Sequence, residues 1–220
     1  MRIGLIGFGS VGQGLVAILR DKAAMLKEAY GFTPVITAVV TRSRGALLHP
    51  YGLSPADLLT AIEAGGLAFY PDSDGLNREV HAHDVAISPH VDVVIEVSPT
   101  NLETAQPALD LCYAALEHHK HVVLANKGPV ALAYSDLMAL ATKHKRRVLF
   151  EATVMAGTPS LRLGMEALAG CTVTQVRGII NGTTNYMLTQ MEAGRTYDDV
   201  LAEAQKLGYA ESDPEIGRAH

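Results

Sequence analysis

The chain has 220 residues, 48% of them hydrophobic and 19% charged, with a formal charge of −5 at pH 7. That composition is globular and core-forming rather than disordered, and it leaves no basic footprint for nucleic acid. Two cysteines, Cys112 and Cys171, without metal spacing argue against a disulfide framework and for a reducing cytoplasm; no apolar run reaches the about 18 residues that read as a membrane span.

The opening MRIGLIGFG has no signal-peptide layout, because its apolar stretch is short and broken by glycine. Residues 2–6, RIGLI, are expected as a buried strand. VGQGLVAILRDKAAMLKEA follows with helical periodicity, setting Val11, Leu15, Ile18, Leu19 and Leu26 on one side. TPVITAVVTRS is a second strand ending near Thr41, and a helix with Ser54 as its N-cap is expected in the Gly/Pro-bearing stretch after it. VDVVIEVSP is a third strand, and ETAQPALDLCYAALEHH a helix with Pro107 in its first turn or kinking it. KHVVLANK is a fourth strand running into a loop, YSDLMALATKHK a helix, and RRVLFEATV a fifth strand. Strands alternating with helices in this way imply an α/β fold with a doubly wound parallel sheet of Rossmann type.

From about Glu151 the texture changes. GTPSLRLGMEALAG, TTNYMLTQMEAG and TYDDVLAEAQKLGY read as helical, the last with Thr196 as its cap, while TVTQVRGIIN alternates as a strand does. One strand and several helices do not close a core by themselves. The expected organisation is a dinucleotide-binding domain over residues 1–150 and an incomplete α+β substrate domain over residues 151–214.

The glycines of GFGSVG, Gly7, Gly9 and Gly12, have G-x-G-x-x-G spacing between a strand and a helix. The first allows the tight turn, the second lets a pyrophosphate approach the backbone, and the third lets helix pack on strand. The helix start then offers free N–H groups to the phosphates, so the cofactor set takes in Phe8, Ser10 and Val11 too. An acidic residue after the second strand would hold the ribose hydroxyls. VVTRSRG has none, and Arg42 and Ser43 suit a 2′-phosphate, which favours NADP over NAD. Ser98 beyond the third strand, and Asn126 and Lys127 beyond the fourth, sit where open parallel sheets bind ligands. A lysine there can polarise a carbonyl or pass a proton, or be an ordinary turn lysine. In NGTTNY, Thr183 or Thr184 is either a helix cap or part of a carboxylate site. His118, His119 and His121 cluster at a helix end where the dipole favours cations, and Cys112 on an apolar helix reads as core.

GFGSVG, VVLANKGPVA, FEATVMAGTP, GIINGTTNYMLTQM and AQKLGYAESDP occur in one order and spacing from Met1 to about Pro214, and together they resemble the homoserine dehydrogenase family. The resemblance implies an NAD(P)-dependent oxidoreductase interconverting L-homoserine and L-aspartate 4-semialdehyde, in threonine and methionine synthesis. It implies that Lys127 lies beside the reacting oxygen and that Glu211 binds the substrate amino group, with Tyr209, Gly182 and Thr183 near the rest of the substrate. It also implies a structural sodium loop from the backbone of Glu151, Val154, Ala156 and Thr158, and a homodimer for the intact family member. In the family an Asp and, one helical turn later, a Lys follow GYAESDP; neither occurs in this sequence, nor do the helices that return to the cofactor domain. The expectation is therefore that the chain itself is an inactive fragment; a non-catalytic NADP-binding protein, or another amino-acid dehydrogenase of related fold, is the alternative. Residues 215–220, EIGRAH, are expected to be a non-native tail, since Ile-Gly-Arg-Ala-His is a translation of the first bases of a common sequencing adaptor.

Overall fold

The structure is a computed structural model and describes residues 1–179 and 181–210. The chain divides into two compact units, Met1–Thr153 and a second that starts at Val154.

In the first unit, β1 (Arg2–Ile6) leads into α1 (Ser10–Asp21) and α2 (Ala23–Tyr30). Strand β2 (Val35–Val40) turns back into β3 (Ala46–Leu48), and α3 (Pro55–Glu63) and the short α4 (Ala82–Ile87) follow. Then come β4 (Val93–Glu96), α5 (Ala108–Glu117), β5 (His121–Leu124), α6 (Lys127–Lys143) and β6 (Val148–Leu149). The sheet order is β3-β2-β1-β4-β5-β6. All neighbours pair parallel except β2 with β3, so the expected parallel sheet carries one antiparallel edge strand. GALLHP gives no sign of it because three residues are too few to show alternation.

Side chains of successive strand residues leave opposite faces of the sheet, and two cores result. On one face Ile3, Leu5, Val39, Val93 and Ile95 pack with Val16 of α1 and Leu58, Ala61 and Ile62 of α3. On the other Ile6, Val94, Val122 and Leu124 pack with Val85 of α4, Leu111, Cys112, Ala115 and Leu116 of α5, and Leu137 of α6. Cys112 is fully buried, as expected, and burial pushes its thiol pKa well up. Ser54 caps α3 by accepting the Asp57 N–H at 3.3 Å.

Three expectations about local structure change in the first unit. The first helix is two: Lys22 leaves helical geometry (φ −107°, ψ 12°) between α1 and α2. Its buried stripe is Gly12 and Val16 with Leu15 and Leu19 beside them, whereas Val11 and Ile18 are 56% and 52% exposed. The stretch after the fourth strand, expected as a loop, is helical from Lys127, because Asn126 caps it and Pro129 is tolerated in a first turn; α6 then breaks at Ala133 (φ −141°, ψ 31°), and the helix expected from Tyr134 follows the break. The fifth strand is only Val148–Leu149; the chain then folds into a 3₁₀ turn, Glu151–Thr153, closed by the Thr153 N–H and hydroxyl on the Phe150 carbonyl. Pro107, expected in the first turn of its helix or kinking it, instead occupies the N-cap position just before α5.

The second unit contains α7 (Ser160–Arg162) and a π turn over Leu163–Ala167, then α8 (Gly182–Glu192) and α9 (Tyr197–Lys206). Thr196 caps α9 as expected, accepting from Asp199 N at 3.4 Å. TVTQVRGIIN, expected as a strand, has none among its described residues. A strand needs a partner for its backbone groups, and the described residues of this unit supply none; Val173, Val176 and Ile179 are 54%, 81% and 68% exposed. Among the described residues no helix is long and apolar enough to cross a membrane.

Candidate cofactor and substrate site

The chain runs outward from β1 to β2 and β3, then returns to β4 on the other side of β1. The loops leaving β1 and β4 therefore diverge from neighbouring strand ends, the crevice where such sheets bind ligands. The glycine loop fills it from one side. Gly7 has φ +99°, and a Cβ there would lie 2.7 Å from the Val97 carbonyl and the Ser98 nitrogen. A Cβ on Gly12 would lie 3.0 Å from the Gly7 oxygen and 3.2 Å from the Phe8 ring. Gly9 faces open space: no atom lies within 4 Å of where a Cβ would stand. It precedes α1 without a side-chain cap, and Ser10 and Val11 are exposed at the helix start. Backbone N–H groups, a positive dipole end and room for a bulky anion thus coincide, and these residues fit a dinucleotide pyrophosphate. Phe8 enters by its backbone alone: its ring is 1% exposed in the core, and its carbonyl accepts from Gln13 Nε2 at 2.9 Å and from the Arg44 guanidinium at 2.6 Å.

Arg42 and Ser43 sit exposed in the turn between β2 and β3. Thr41 closes that turn, accepting the Arg44 N–H and donating to the Gly45 carbonyl, each at 2.8 Å. Arg44, the second arginine of TRSR, is engaged with the glycine loop and so differs from Arg42.

On the other side of the crevice Ser98 and Asn126 meet. The Asn126 amide lies 3.3 Å from the Ser98 carbonyl and 3.4 Å from the Pro99 carbonyl, and its oxygen accepts the Gly128 N–H at 3.0 Å. This places half-buried Lys127 as the first residue of α6, its N–H 3.4 Å from the Thr100 hydroxyl. Its ammonium has no ion-pair or hydrogen-bond partner among the described residues. A cation at a helix N-terminus opposes the dipole, so helix stability does not explain a lysine there.

One residue of this region is not singled out by the sequence. Glu96, at the end of β4, is 0% exposed. Its Oε1 accepts from Ser98 N at 3.1 Å, and Oε2 has no hydrogen-bond partner among the described residues. Burial raises its pKa, opposed by the nearby Ser98 and Asn126. The signal that could have found it is a lone carboxylate inside the apolar run VDVVIEV.

In the second unit Gly182 opens α8, and Asn181 rather than Thr183 or Thr184 caps it, accepting from Thr184 N at 2.8 Å. The Thr183 hydroxyl is left to donate to the Tyr209 carbonyl, and the Tyr209 ring stands edge-on to Tyr186 at 5.2 Å. Gly182, Thr183 and Tyr209 are thus brought to one end of the α8–α9 pair; Glu211 and the tail 215–220 lie outside the described residues. Of the sodium-loop residues, Glu151 opens its 3₁₀ turn, and Ala156 follows Met155 in two successive left-handed conformations (φ 49° and 56°). Val154 is 39% exposed and the Thr158 N–H donates to the Met155 carbonyl at 3.0 Å. No group of three or more His, Cys, Asp or Glu side chains gathers for a metal among the described residues.

A family model described as homoserine dehydrogenase, NAD binding domain, matches residues 7–151, and one described as homoserine dehydrogenase matches residues 159–216. The homoserine dehydrogenase of Methanocaldococcus jannaschii is 42% identical over 97% of this chain and 63% of its own length. The NAD(+)-dependent homoserine dehydrogenase of Pseudomonas canavaninivorans is 38% identical over 97% of this chain and 60% of its own length. A hyperthermophilic archaeal homoserine dehydrogenase solved in complex with NADPH superposes with a TM-score of 0.80 at 28% identity, over 97% of this chain and 63% of that one. The chain spans between 60% and 63% of the length of the first curated relatives it matches.

Proposed function

The chain belongs to the homoserine dehydrogenase family, and we propose that it serves an NAD(P)-dependent oxidoreductase that interconverts L-homoserine and L-aspartate 4-semialdehyde. The observation that carries this reading is the glycine loop at the β1–β4 divergence, facing Asn126 and the start of α6 across the same crevice. A nicotinamide dinucleotide, when bound, supplies hydride transfer. The chain's own residues do the rest. Gly7 and Gly12 hold the loop tight, and the first N–H groups of α1 receive the phosphates. Ser98 and Asn126 shape the facing wall. Lys127 presents its ammonium beside the reacting oxygen, where it offsets developing negative charge. Gly182, Thr183, Tyr209 and Glu211 hold the amino-acid substrate, Glu211 through its amino group.

Residues 1–150 are proposed as the dinucleotide domain and residues from 151 as belonging to the substrate domain. The backbone carbonyls of Glu151, Val154, Ala156 and Thr158 are proposed to hold a sodium ion, a hard cation served by oxygen ligands. A cytoplasmic setting and a homodimer of the intact enzyme belong to the same reading.

NADP is the proposed cofactor, supported by exposed Arg42 and Ser43 and by the absence of a carboxylate in the β2–β3 turn. With Arg44 held on the Phe8 carbonyl, the preference rests on Arg42 and Ser43. A fluorescence titration of the chain with NADPH and NADH tests it. Tighter NADPH binding, lost on Arg42→Ala with NADH binding unchanged, is the expected result; a clear NADH preference overturns the assignment.

A further inference from the structure

Glu96 lies between Ile6 and Leu124 in the sheet register, on the face that packs against α5. The Cys112 thiol on that helix is close enough to feel its charge. Packing alone does not call for a carboxyl group here: an apolar side chain would fill the site without the cost of desolvating a polar group. What the carboxyl does is grip the Ser98 N–H at 3.1 Å. The turn it grips has two other duties. Its Val97 carbonyl and Ser98 nitrogen are the atoms 2.7 Å from the missing Cβ of Gly7, so the turn is the floor of the glycine loop. Its Ser98 and Pro99 carbonyls face the Asn126 amide at 3.3 and 3.4 Å, and Asn126 in turn caps α6 through the Gly128 N–H.

We propose that Glu96 is a positioning residue that fixes the Val97–Ser98 turn from inside the protein, and through that turn sets both the glycine loop and the Asn126 cap that places Lys127. The proposal rests on the dinucleotide reading for its consequence, though not for its geometry.

Three substitutions separate positioning from packing. Glu96→Val keeps a β-branched apolar residue in the strand but removes the acceptor. Glu96→Asp keeps the acid and withdraws it by one methylene. Glu96→Gln keeps an acceptor at the same reach. Amide hydrogen exchange over residues 97–101 and 125–130 reads the turn and the cap without any ligand. Exchange about tenfold faster in the Val and Asp variants, and within about threefold of wild type in the Gln variant, is expected for the loss or retention of one hydrogen bond. NADPH affinity follows the same pattern, weakened about tenfold by Val and Asp and retained by Gln. If the Val variant does not fold, Asp against Gln carries the comparison, because both are polar and only the reach differs. An Asp variant that exchanges like wild type overturns the proposal. So does a Gln variant that fails to rescue, or accelerated exchange with an unchanged NADPH dissociation constant. A wild-type chain that binds no NADPH removes the cofactor reading while the exchange result still decides the role of Glu96 in the turn.

Discussion

The two units bury their apolar residues to very different degrees. The first has two cores, one on each face of a sheet, with Leu5, Leu47, Leu58, Leu116 and Val122 at 0% exposure. In the second, Val200 and Ala204 of α9 are the buried residues among those described, while Leu163, Met165, Leu188 and Leu207 are all more than half exposed. A parallel sheet with helices on both faces closes its own core. A pair of helices has one shared stripe to bury, and α8 and α9 leave the remainder of their apolar surface in solvent. Stability, and the definition of the cofactor crevice with it, therefore resides in the first unit.

Core truncation should break the comparison most sharply. Leu5→Ala in β1 is expected to cost about 2–5 kcal/mol, read as a lower urea midpoint. Val176→Ala, 81% exposed in the wild type, should stay within about 0.5 kcal/mol. Equal costs for the two would mean that the second unit has a core of its own.

Next in size is Gly7→Ala. A left-handed backbone and a methyl 2.7 Å from Val97 and Ser98 should cost about 1–3 kcal/mol and remove NADPH binding. Unaltered binding would show that the loop tolerates displacement and that the crevice is less closely fitted than its geometry implies.

The two ends of β4 make a further contrast. The Glu96 pKa is raised by burial, so its contribution to stability is complete below the ordinary glutamate range. It is lost as pH rises through the folded value, where folding keeps a proton that the unfolded chain gives up. Glu96→Gln should remove that loss, flattening the urea midpoint from acid to neutral pH; a slope identical to wild type would exclude Glu96 as its source. Asp92, just before β4, behaves in the opposite sense. Its hydrogen bond with Arg2, 2.6 Å from the guanidinium, holds its pKa below the usual range despite some burial. Its contribution is present above the ordinary aspartate range and is lost as pH falls through the depressed folded value.

Asn181→Ala should remove about 1 kcal/mol of helix capping, visible as faster exchange in the first turn of α8 rather than as a lower midpoint for the first unit. Asp92→Asn is the smallest effect, below about 1 kcal/mol, since both partners are about 40% exposed and solvent screens the pair. A larger loss would show that the Arg2–Asp92 contact anchors the sheet rather than decorating its end.

The amino-acid order was sufficient for those elements whose signals are local. GFGSVG between an apolar strand and a helix located the glycine loop, since its glycines answer to steric demands within a few residues. Ser54 and Thr196 were legible as caps because a cap bonds a backbone N–H only a few positions on. The motif order from Met1 to Pro214 carried the family. Folding settled the features that join groups distant in the chain. The edge strand β3 exists through pairing with β2, and Val16, not Val11 or Ile18, faces the core because the sheet chooses which stripe of α1 to cover. TVTQVRGIIN alternates like a strand yet has no partner among the described residues to make it one. Arg42 and Arg44 look equivalent in TRSR, and only folding brings Arg44 to the Phe8 carbonyl. Glu96 reads as one more residue of a strand until β1, β5 and α5 enclose it, because burial is a property of what surrounds a side chain and not of the side chain itself.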